Sequence, residues 1–342
     1  MEQLGIALVG CGRAGMVHAR NFAGRIRGAR LAALVDPVRG AAEEAAKELG
    51  GVADVSADYR EALKNPRVDA VVVATPTVSH REICVAAARA GRHVFCEKPM
   101  AMDMVECAEM IEAAEKARVR LQIGFMRRFD CGFIAARETV ESGRIGKTVL
   151  VKSLSRGASS PQAWMFDMAR SNGTLSEVNS HDIDTLRWFT GSEFEEVYAI
   201  AGNYRCPQAL PAHPDYYDNF VLTATFRNGM QGLIDGAASV GYGYDARVEV
   251  LGTKGVLFVG QLADKALVSC AEGDGLKQSV VWSWRALFRE AYEAEECEFI
   301  AAVAEGRTPR VGGRDGMAAV GVVQAGNQSI RTGKPVKVAS PF

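Results

Sequence analysis

A chain of 342 residues exceeds the size of one ordinary core and predicts two domains. With 48% hydrophobic and 24% charged residues and a formal net charge of -1, it offers no electrostatic case for nucleic acid or an anionic membrane surface. No apolar run is long enough to span a bilayer, and Met1-Glu2-Gln3-Leu4 lacks the basic segment of a secretory leader, so a cytoplasmic location is expected.

The first 125 residues alternate short apolar runs with helical stretches. Strands are predicted over Leu4–Gly10, Arg30–Asp36, Asp69–Thr75, Arg92–Glu97 and Val119–Phe125, with a weaker one near Val52. A helix fits Arg13–Ile26, where Gly15, Ala19, Phe22 and Ile26 recur at helical spacing. Ile6-Ala7-Leu8-Val9 and Ala70-Val71-Val72-Val73 show no polar alternation, as parallel strands buried on both faces require. The expected architecture here is an α/β doubly wound parallel sheet with right-handed crossovers.

After about residue 145 the pattern changes. Phe220, Leu222, Ala224 and Phe226 alternate with Val221, Thr223 and Thr225, so one face of that strand is apolar. Arg227-Asn228-Gly229 predicts a hairpin turn, and Gly252-Thr253-Lys254-Gly255 a second one joining Arg247–Leu251 to Val256–Val259. Helices fit Leu175–Thr190, Arg285–Ala304 and Arg314–Arg331. This half therefore reads as an α+β domain with a large, mostly antiparallel open sheet, divided from the first at 125/126, and the cleft between the two is the default site. The eight cysteines form no C-x-x-C pair and none stands beside a histidine at ligand spacing; they read as small buried hydrophobes, and no metal is expected.

The first predicted strand runs into Gly10-Cys11-Gly12-Arg13-Ala14-Gly15, a G-x-G-x-x-G that opens a helix. In that setting Gly10 permits the tight turn, Gly12 lets the backbone approach a pyrophosphate, and Gly15 lets helix and strand pack closely. Asp36 ends the second strand, 21 residues after Gly15, where a carboxylate accepts hydrogen bonds from an adenosine ribose and repels a 2′-phosphate. NAD is the expected cofactor of a Rossmann-type domain over residues 1–125, and Arg39 leaves room for NADP. Thr75, Pro76, Thr77 and His80 fall on the same predicted cofactor side, with Arg13 and Ala14 in the turn itself.

Glu97-Lys98-Pro99 ends another predicted strand, and strand ends in such a sheet border the ligand crevice, which sets Glu97 and Lys98 beside the cofactor. The proline can hold a cis bond that aims the lysine. Further on, Glu177, His181 and Asp184 stand at i, i+4 and i+7 of the predicted helix and share one face. By themselves a loop lysine and a Glu–His pair are commonplace. A histidine near a carboxylate is also what hydroxyl deprotonation near neutral pH requires, and His18 and His93 are set aside as lying in a helix and a buried strand.

Taken in order, the glycine turn, Thr75-Pro76-Thr77, Cys96-Glu97-Lys98-Pro99, His181-x-x-Asp184, Asp218 and Val248-Glu249-Val250-Leu251-Gly252-Thr253-Lys254-Gly255 resemble the glucose-fructose oxidoreductase/inositol dehydrogenase (Gfo/Idh/MocA) family over nearly the whole chain. Gly124-Phe125-Met126-Arg127-Arg128-Phe129-Asp130 and Tyr242-Gly243-Tyr244-Asp245 look like its inositol 2-dehydrogenase branch. The resemblance implies that Lys98, Glu177 and His181 are catalytic and line the substrate site. It implies that Met126 lies near the nicotinamide and that Arg127, Ser155, Trp164 and Tyr242 border the substrate. It implies dimers or tetramers, which suits a broad sheet with helices for one face only; a homotetramer is expected, with 126–342 as the substrate-binding and oligomerisation domain. Two departures stand out: Glu177 where the family often has aspartate, and Ser155-Arg156-Gly157 where inositol dehydrogenases tend to carry His and Asn.

The expected activity is oxidation of a secondary hydroxyl of a cyclic polyol, most simply myo- or scyllo-inositol. His181 takes the hydroxyl proton, Lys98 donates a hydrogen bond to the oxygen, and Glu177 sets the charge of the pair. A sugar or keto-sugar dehydrogenase of the same family is the alternative, and an NAD-bound sensor or an enzyme that never releases NAD a more distant one.

Overall fold

The computed structural model describes residues 3–38, 40–51, 53–271 and 275–340. Strands and helices alternate first as β1 (Leu4–Val9), α1 (Gly15–Gly24), β2 (Ala29–Val35), α2 (Ala41–Glu48), β3 (Asp54–Ser56), α3 (Tyr59–Lys64), β4 (Ala70–Val73), α4 (His80–Arg89), β5 (His93–Glu97), α5 (Met104–Ala117) and β6 (Leu121–Gly124). Next come α6 (Cys131–Glu141), β7 (Thr148–Arg156), α7 (Met168–Ser171), α8 (Gly173–Glu177) and α9 (Ser180–Thr190). Strands β8 (Phe194–Gly202), β9 (Asn219–Phe226), β10 (Gln231–Ala237), β11 (Asp245–Gly252), β12 (Val256–Val259), β13 (Ala263–Ala271) and β14 (Gly275–Val280) follow. The last elements are α10 (Trp284–Leu287), α11 (Arg289–Ala304), α12 (Gly313–Thr332) and β15 (Val336–Lys337). Of the weak strand expected near Val52, β3 is the described part; Val52 lies outside the described residues.

The chain packs as two units. The N-terminal unit runs to Phe129 and takes back Glu290–Val320; the C-terminal unit holds Asp130–Arg289 and Gly321–Ser340. A linear boundary after residue 125 misses this return. Its cause is apolar: α11 lays Phe299 and Ile300 on the core formed by Ile6, Leu8, Phe22, Leu31 and Phe95, and the Phe299 ring meets Phe95 edge-on at 5.7 Å. Burying one such side chain contributes about 1.5–3 kcal/mol, enough to decide where a helix packs.

In the N-terminal unit the strand order is β3-β2-β1-β4-β5-β6, and the neighbours pair in parallel. Ile6, Ala7, Leu8 and all of β4 are fully buried, which is why those strands carry no polar alternation. The chain reverses its direction of travel across the sheet between β1 and β4, so a switch point opens at their carboxyl ends.

In the C-terminal unit the order is β12-β11-β7-β10-β9-β8-β15. β7 and β10 pair in parallel and the other neighbours antiparallel. Gly229 takes φ +80 in the β9–β10 turn, a value only glycine adopts without strain. Helix α9 lies on β7 and β10, so the inward residues of those strands are buried and the opposite face carries the charged ones. The helix expected over Arg285–Ala304 is interrupted at Phe288, which is buried against Phe133. Among the described residues no helix is long and apolar enough to cross a membrane.

Candidate active site

The glycine turn follows β1 directly. Gly10 has φ +100, and a Cβ there would stand 2.6 Å from the Ala74 carbonyl oxygen. A Cβ at Gly15 would run into the Gly10 carbonyl, so α1 packs against the turn as closely as backbone allows. At Gly12 a Cβ would meet nothing within 4 Å, and Gly12 and Arg13 are exposed, with Ala14 half-buried. Helix α1 starts without a side-chain cap and without an acidic residue in its first turn. Open space beside a bare helix start fits a pyrophosphate. Asp36, at the end of β2, accepts from Cys11 N and from Val38 N, each at 2.8 Å, and so fixes its carboxylate beside the turn. Arg39 lies outside the described residues.

Thr75 and Pro76 continue β4 outward, while Thr77 is buried. His80, expected at the cofactor, is placed inside the fold by the structure. It is fully buried, with Nδ1 2.8 Å from Pro99 O and Nε2 2.9 Å from Thr75 O. Burial lowers its pKa despite these carbonyls, and the ring sits between the turns after β4 and β5. Lys98 is half-buried at the carboxyl end of β5, and the Lys98–Pro99 bond is cis. Met126 and Arg127 follow β6 in a short 3-10 turn and are each 1% exposed.

The side chain of Glu97 turns inward. One oxygen accepts from the backbone N of Lys98 at 3.0 Å, and the other lies 3.0 Å from His18 Nε2. His18 Nδ1 is in turn 2.6 Å from Glu296 Oε1 on α11. The Glu97 carboxylate is therefore spent on the protein's own groups, and His18 is tied to the strand end that carries Lys98. Sequence reasoning had no signal for this, since His18 and Glu296 are 278 positions apart.

In the C-terminal unit the expected helix over 175–190 is broken. α8 ends at Glu177, Val178 and Asn179 form a turn, and α9 restarts at Ser180. Glu177 thus closes α8, while His181 and Asp184 belong to α9. The break has a local cause: Asn179 Nδ2 donates to Asp182 Oδ2 at 2.9 Å and to Ser155 O at 3.4 Å, while Ser153 Oγ donates to Asp182 Oδ1. Short polar side chains here outcompete continuous helix hydrogen bonding. His181 falls in the first turn of α9, 5% exposed, beside the buried Asp182 and Asp184, and Glu177 is half-buried.

Ser155 is fully buried on the helix-facing side of β7. Tyr242 is not brought to it. Its hydroxyl meets Arg156 Nη1 at 3.2 Å and Asp245 Oδ2 at 3.0 Å, and Arg156 leaves β7 on the opposite face toward Asp235. Trp164 is half-buried in the 3-10 turn Ala163–Phe166, its indole N–H on Gln162 Oε1 at 2.7 Å. The buried Asp218 carboxylate collects the backbone N–H groups of Tyr204, Arg205 and Cys206, so it holds a loop.

One unit thus offers a phosphate cradle with an ammonium at a neighbouring strand end, and the other an imidazole among carboxylates. Residues 4–125 match the family model described as an oxidoreductase family with an NAD-binding Rossmann fold, and residues 133–258 match the GFO/IDH/MocA C-terminal domain. The scyllo-inositol 2-dehydrogenase (NAD(+)) of Bacillus subtilis strain 168 is 32% identical, over 98% of this chain and 97% of its own. The myo-inositol 2-dehydrogenase of Thermotoga maritima is 35% identical, over 97% and 98%. The crystal structure of scyllo-inositol dehydrogenase from Lactobacillus casei with bound NAD(H) and scyllo-inositol superposes with a TM-score of 0.90 at 28% identity, covering 99% of this chain and 100% of that one. With both domains matched and relatives about a third identical along almost the full length, the chain belongs to the GFO/IDH/MocA oxidoreductase family and carries its NAD-binding Rossmann fold.

Proposed function

We propose that this protein is an NAD-dependent dehydrogenase that oxidises a secondary hydroxyl of a cyclic polyol, an inositol before other substrates. The observation that carries the reading is full-length similarity to inositol 2-dehydrogenases in a chain that has Lys98 at the end of β5 and His181 at the start of α9. Gly10, Gly12, Ala14 and Gly15 would hold the pyrophosphate and Asp36 the adenosine ribose. When bound, NAD supplies the acceptor for the carbon-bound hydrogen and its electron pair. His181 takes the hydroxyl proton, and the buried Asp182 and Asp184 nearby favour the imidazolium that results. Lys98 donates a hydrogen bond to the oxygen as it becomes a carbonyl. Glu177 adjusts the charge around His181. Arg127, Trp164 and Tyr242 stay candidates for substrate contact, and Met126 for the nicotinamide.

Replacing His181 by Ala or Lys98 by Met should each lower kcat by about 10²- to 10⁴-fold, the range for positioned acid–base groups. NADH affinity, read by fluorescence, should stay within about threefold, less than 1 kcal/mol. Near-normal turnover in both variants would sink the assignment.

Ser155-Arg156-Gly157 in place of the His and Asn pattern favours a second reading, a sugar or keto-sugar dehydrogenase. A panel of inositols and pyranoses followed at the nicotinamide absorbance separates the two, and multiple turnovers releasing free NADH exclude a sensor. We also read the enzyme as a cytoplasmic homotetramer. The outer face of the C-terminal sheet leaves Ile200 57% and Tyr198 39% exposed, which supports self-association, and the described cysteines are all unpaired thiols. Sedimentation as a monomer at micromolar concentration contradicts the oligomer.

A further inference from the structure

The fully buried His18 lies three residues beyond the last glycine of the turn and bonds carboxylates at both ring nitrogens, Glu296 at 2.6 Å and Glu97 at 3.0 Å. Where both carboxyls are ionised, each bond takes its proton from the ring, which is then an imidazolium. Burial opposes that charge, but the bonds to Glu296 and Glu97 outweigh it and raise His18 to about 10. Glu97 is held below the usual carboxylate range, its bond to His18 overcoming the cost of burial. Edge-on contacts with Phe95 at 5.2 Å and Tyr292 at 5.7 Å flank the ring.

The remaining oxygen of Glu97 accepts the backbone N–H of Lys98 itself. Gly124 pairs with Glu97 across β5 and β6, and a Cβ at 124 would stand 3.2 Å from the Glu97 carboxyl carbon. The carboxylate therefore fills the space that any other residue at 124 would claim. An unbroken chain of bonds runs from α1, which follows the phosphate turn, through His18 and Glu97 to the main chain of Lys98. Glu296 holds the far side of the ring from α11. The other polar groups nearby are Glu295, whose pKa burial pushes well up, and Asn21.

We propose that His18 is a positioning residue for the reaction: through Glu97 it fixes the Lys98 turn against the helix of the phosphate turn, so that the ammonium keeps one placement relative to the bound nucleotide. This rests on the dehydrogenase reading above. Misplacing a reacting group by about 1 Å can cost 10²-fold in rate, so the effect should fall on kcat and leave nucleotide affinity in place.

The experiment compares the full-length wild type with His18→Leu, which removes the donor, His18→Gln, which keeps an N–H toward Glu97, and Glu97→Gln. It measures kcat and KM for the polyol, NADH affinity by fluorescence, and the rate of Lys98 acetylation by acetic anhydride, read by peptide mass spectrometry. His18→Leu should lose about 10- to 100-fold in kcat, label severalfold faster at Lys98, and bind NADH as the wild type does. His18→Gln should recover most of both changes. If His18→Leu does not fold, Glu97→Gln reports the same loosening at Lys98. Unchanged Lys98 labelling in the folded variants overturns the proposal, as does an equal loss of NADH affinity in His18→Leu and His18→Gln, which would mark general packing. A wild type that oxidises no polyol removes the dehydrogenase reading, while the labelling still decides the role of His18.

Discussion

The two units present their polar residues by different means. In the N-terminal unit they stand where strands end: Gly10 after β1, Asp36 after β2, Thr75 after β4, Lys98 after β5 and Met126 after β6. A parallel sheet aligns these ends on one edge, so residues far apart in sequence become neighbours by topology alone. In the C-terminal unit His181 depends on a helix that stops and restarts. Asn179, Asp182, Ser153 and Ser155 hold that interruption beneath the sheet, which makes it a matter of side-chain hydrogen bonds. Strand ends tolerate change in their side chains but little in the backbone around the turn. The broken helix should show the reverse, with sensitivity concentrated in side chains and in the space they occupy.

The strongest break in this comparison is Gly15→Ala. Its Cβ would collide with the Gly10 carbonyl, and backbone cannot yield as a flexible side chain can. A loss of about 4 kcal/mol or more is expected in a denaturant melt, with NADH binding abolished. Wild-type stability would show that α1 can move away from β1. Gly236→Ala probes the other unit. A Cβ on β10 would overlap the Phe220 ring and stand 2.5 Å from Asn179 Oδ1. Overpacking of this kind costs about 1–3 kcal/mol, and turnover should fall with it while NADH affinity is kept. An intact kcat would separate the Asn179 turn from the placement of His181.

Gly12→Ala sharpens the contrast within one turn. No atom lies within 4 Å of the added methyl group, so stability should hold while NAD affinity drops about tenfold, or 1.4 kcal/mol. Unchanged affinity by titration would mean that the open space is not where the pyrophosphate sits. The smallest effect is in pH. His18 is raised from about 6.5 to about 10 in the folded chain. The folded state then holds this proton more tightly than the unfolded one, so the stabilisation is full below about pH 6.5 and is lost as pH rises through about 10. Glu296, raised by burial to about 7, acts in the same sense at lower pH. The difference in Tm between wild type and His18→Gln should therefore shrink on going from neutral to alkaline pH. A difference that widens contradicts an imidazolium at His18.

What could be read in the amino-acid order was whatever depends on neighbours in the chain. The run Ile6-Ala7-Leu8-Val9 into Gly10-Cys11-Gly12-Arg13-Ala14-Gly15, the carboxylate at Asp36 and the Lys98-Pro99 turn are each a strand with its immediate continuation, so strand burial and glycine stereochemistry suffice to place them. The alternation of β9 and the turn at Gly229 were legible for the same reason. The interruption at Asn179 had a signal, a cap-forming Asn-Ser-His-Asp run within an apolar helix pattern, but helical spacing alone hides it. Only tertiary structure could decide that His80 sits between two turns, that Ser155 and Tyr242 belong to opposite faces of β7, and that α11 returns Glu296 to His18. Those outcomes depend on which buried charges and hydroxyls find partners across long sequence separations, because an unpaired polar group in a dry core is too costly to keep and local propensity carries no record of its partner.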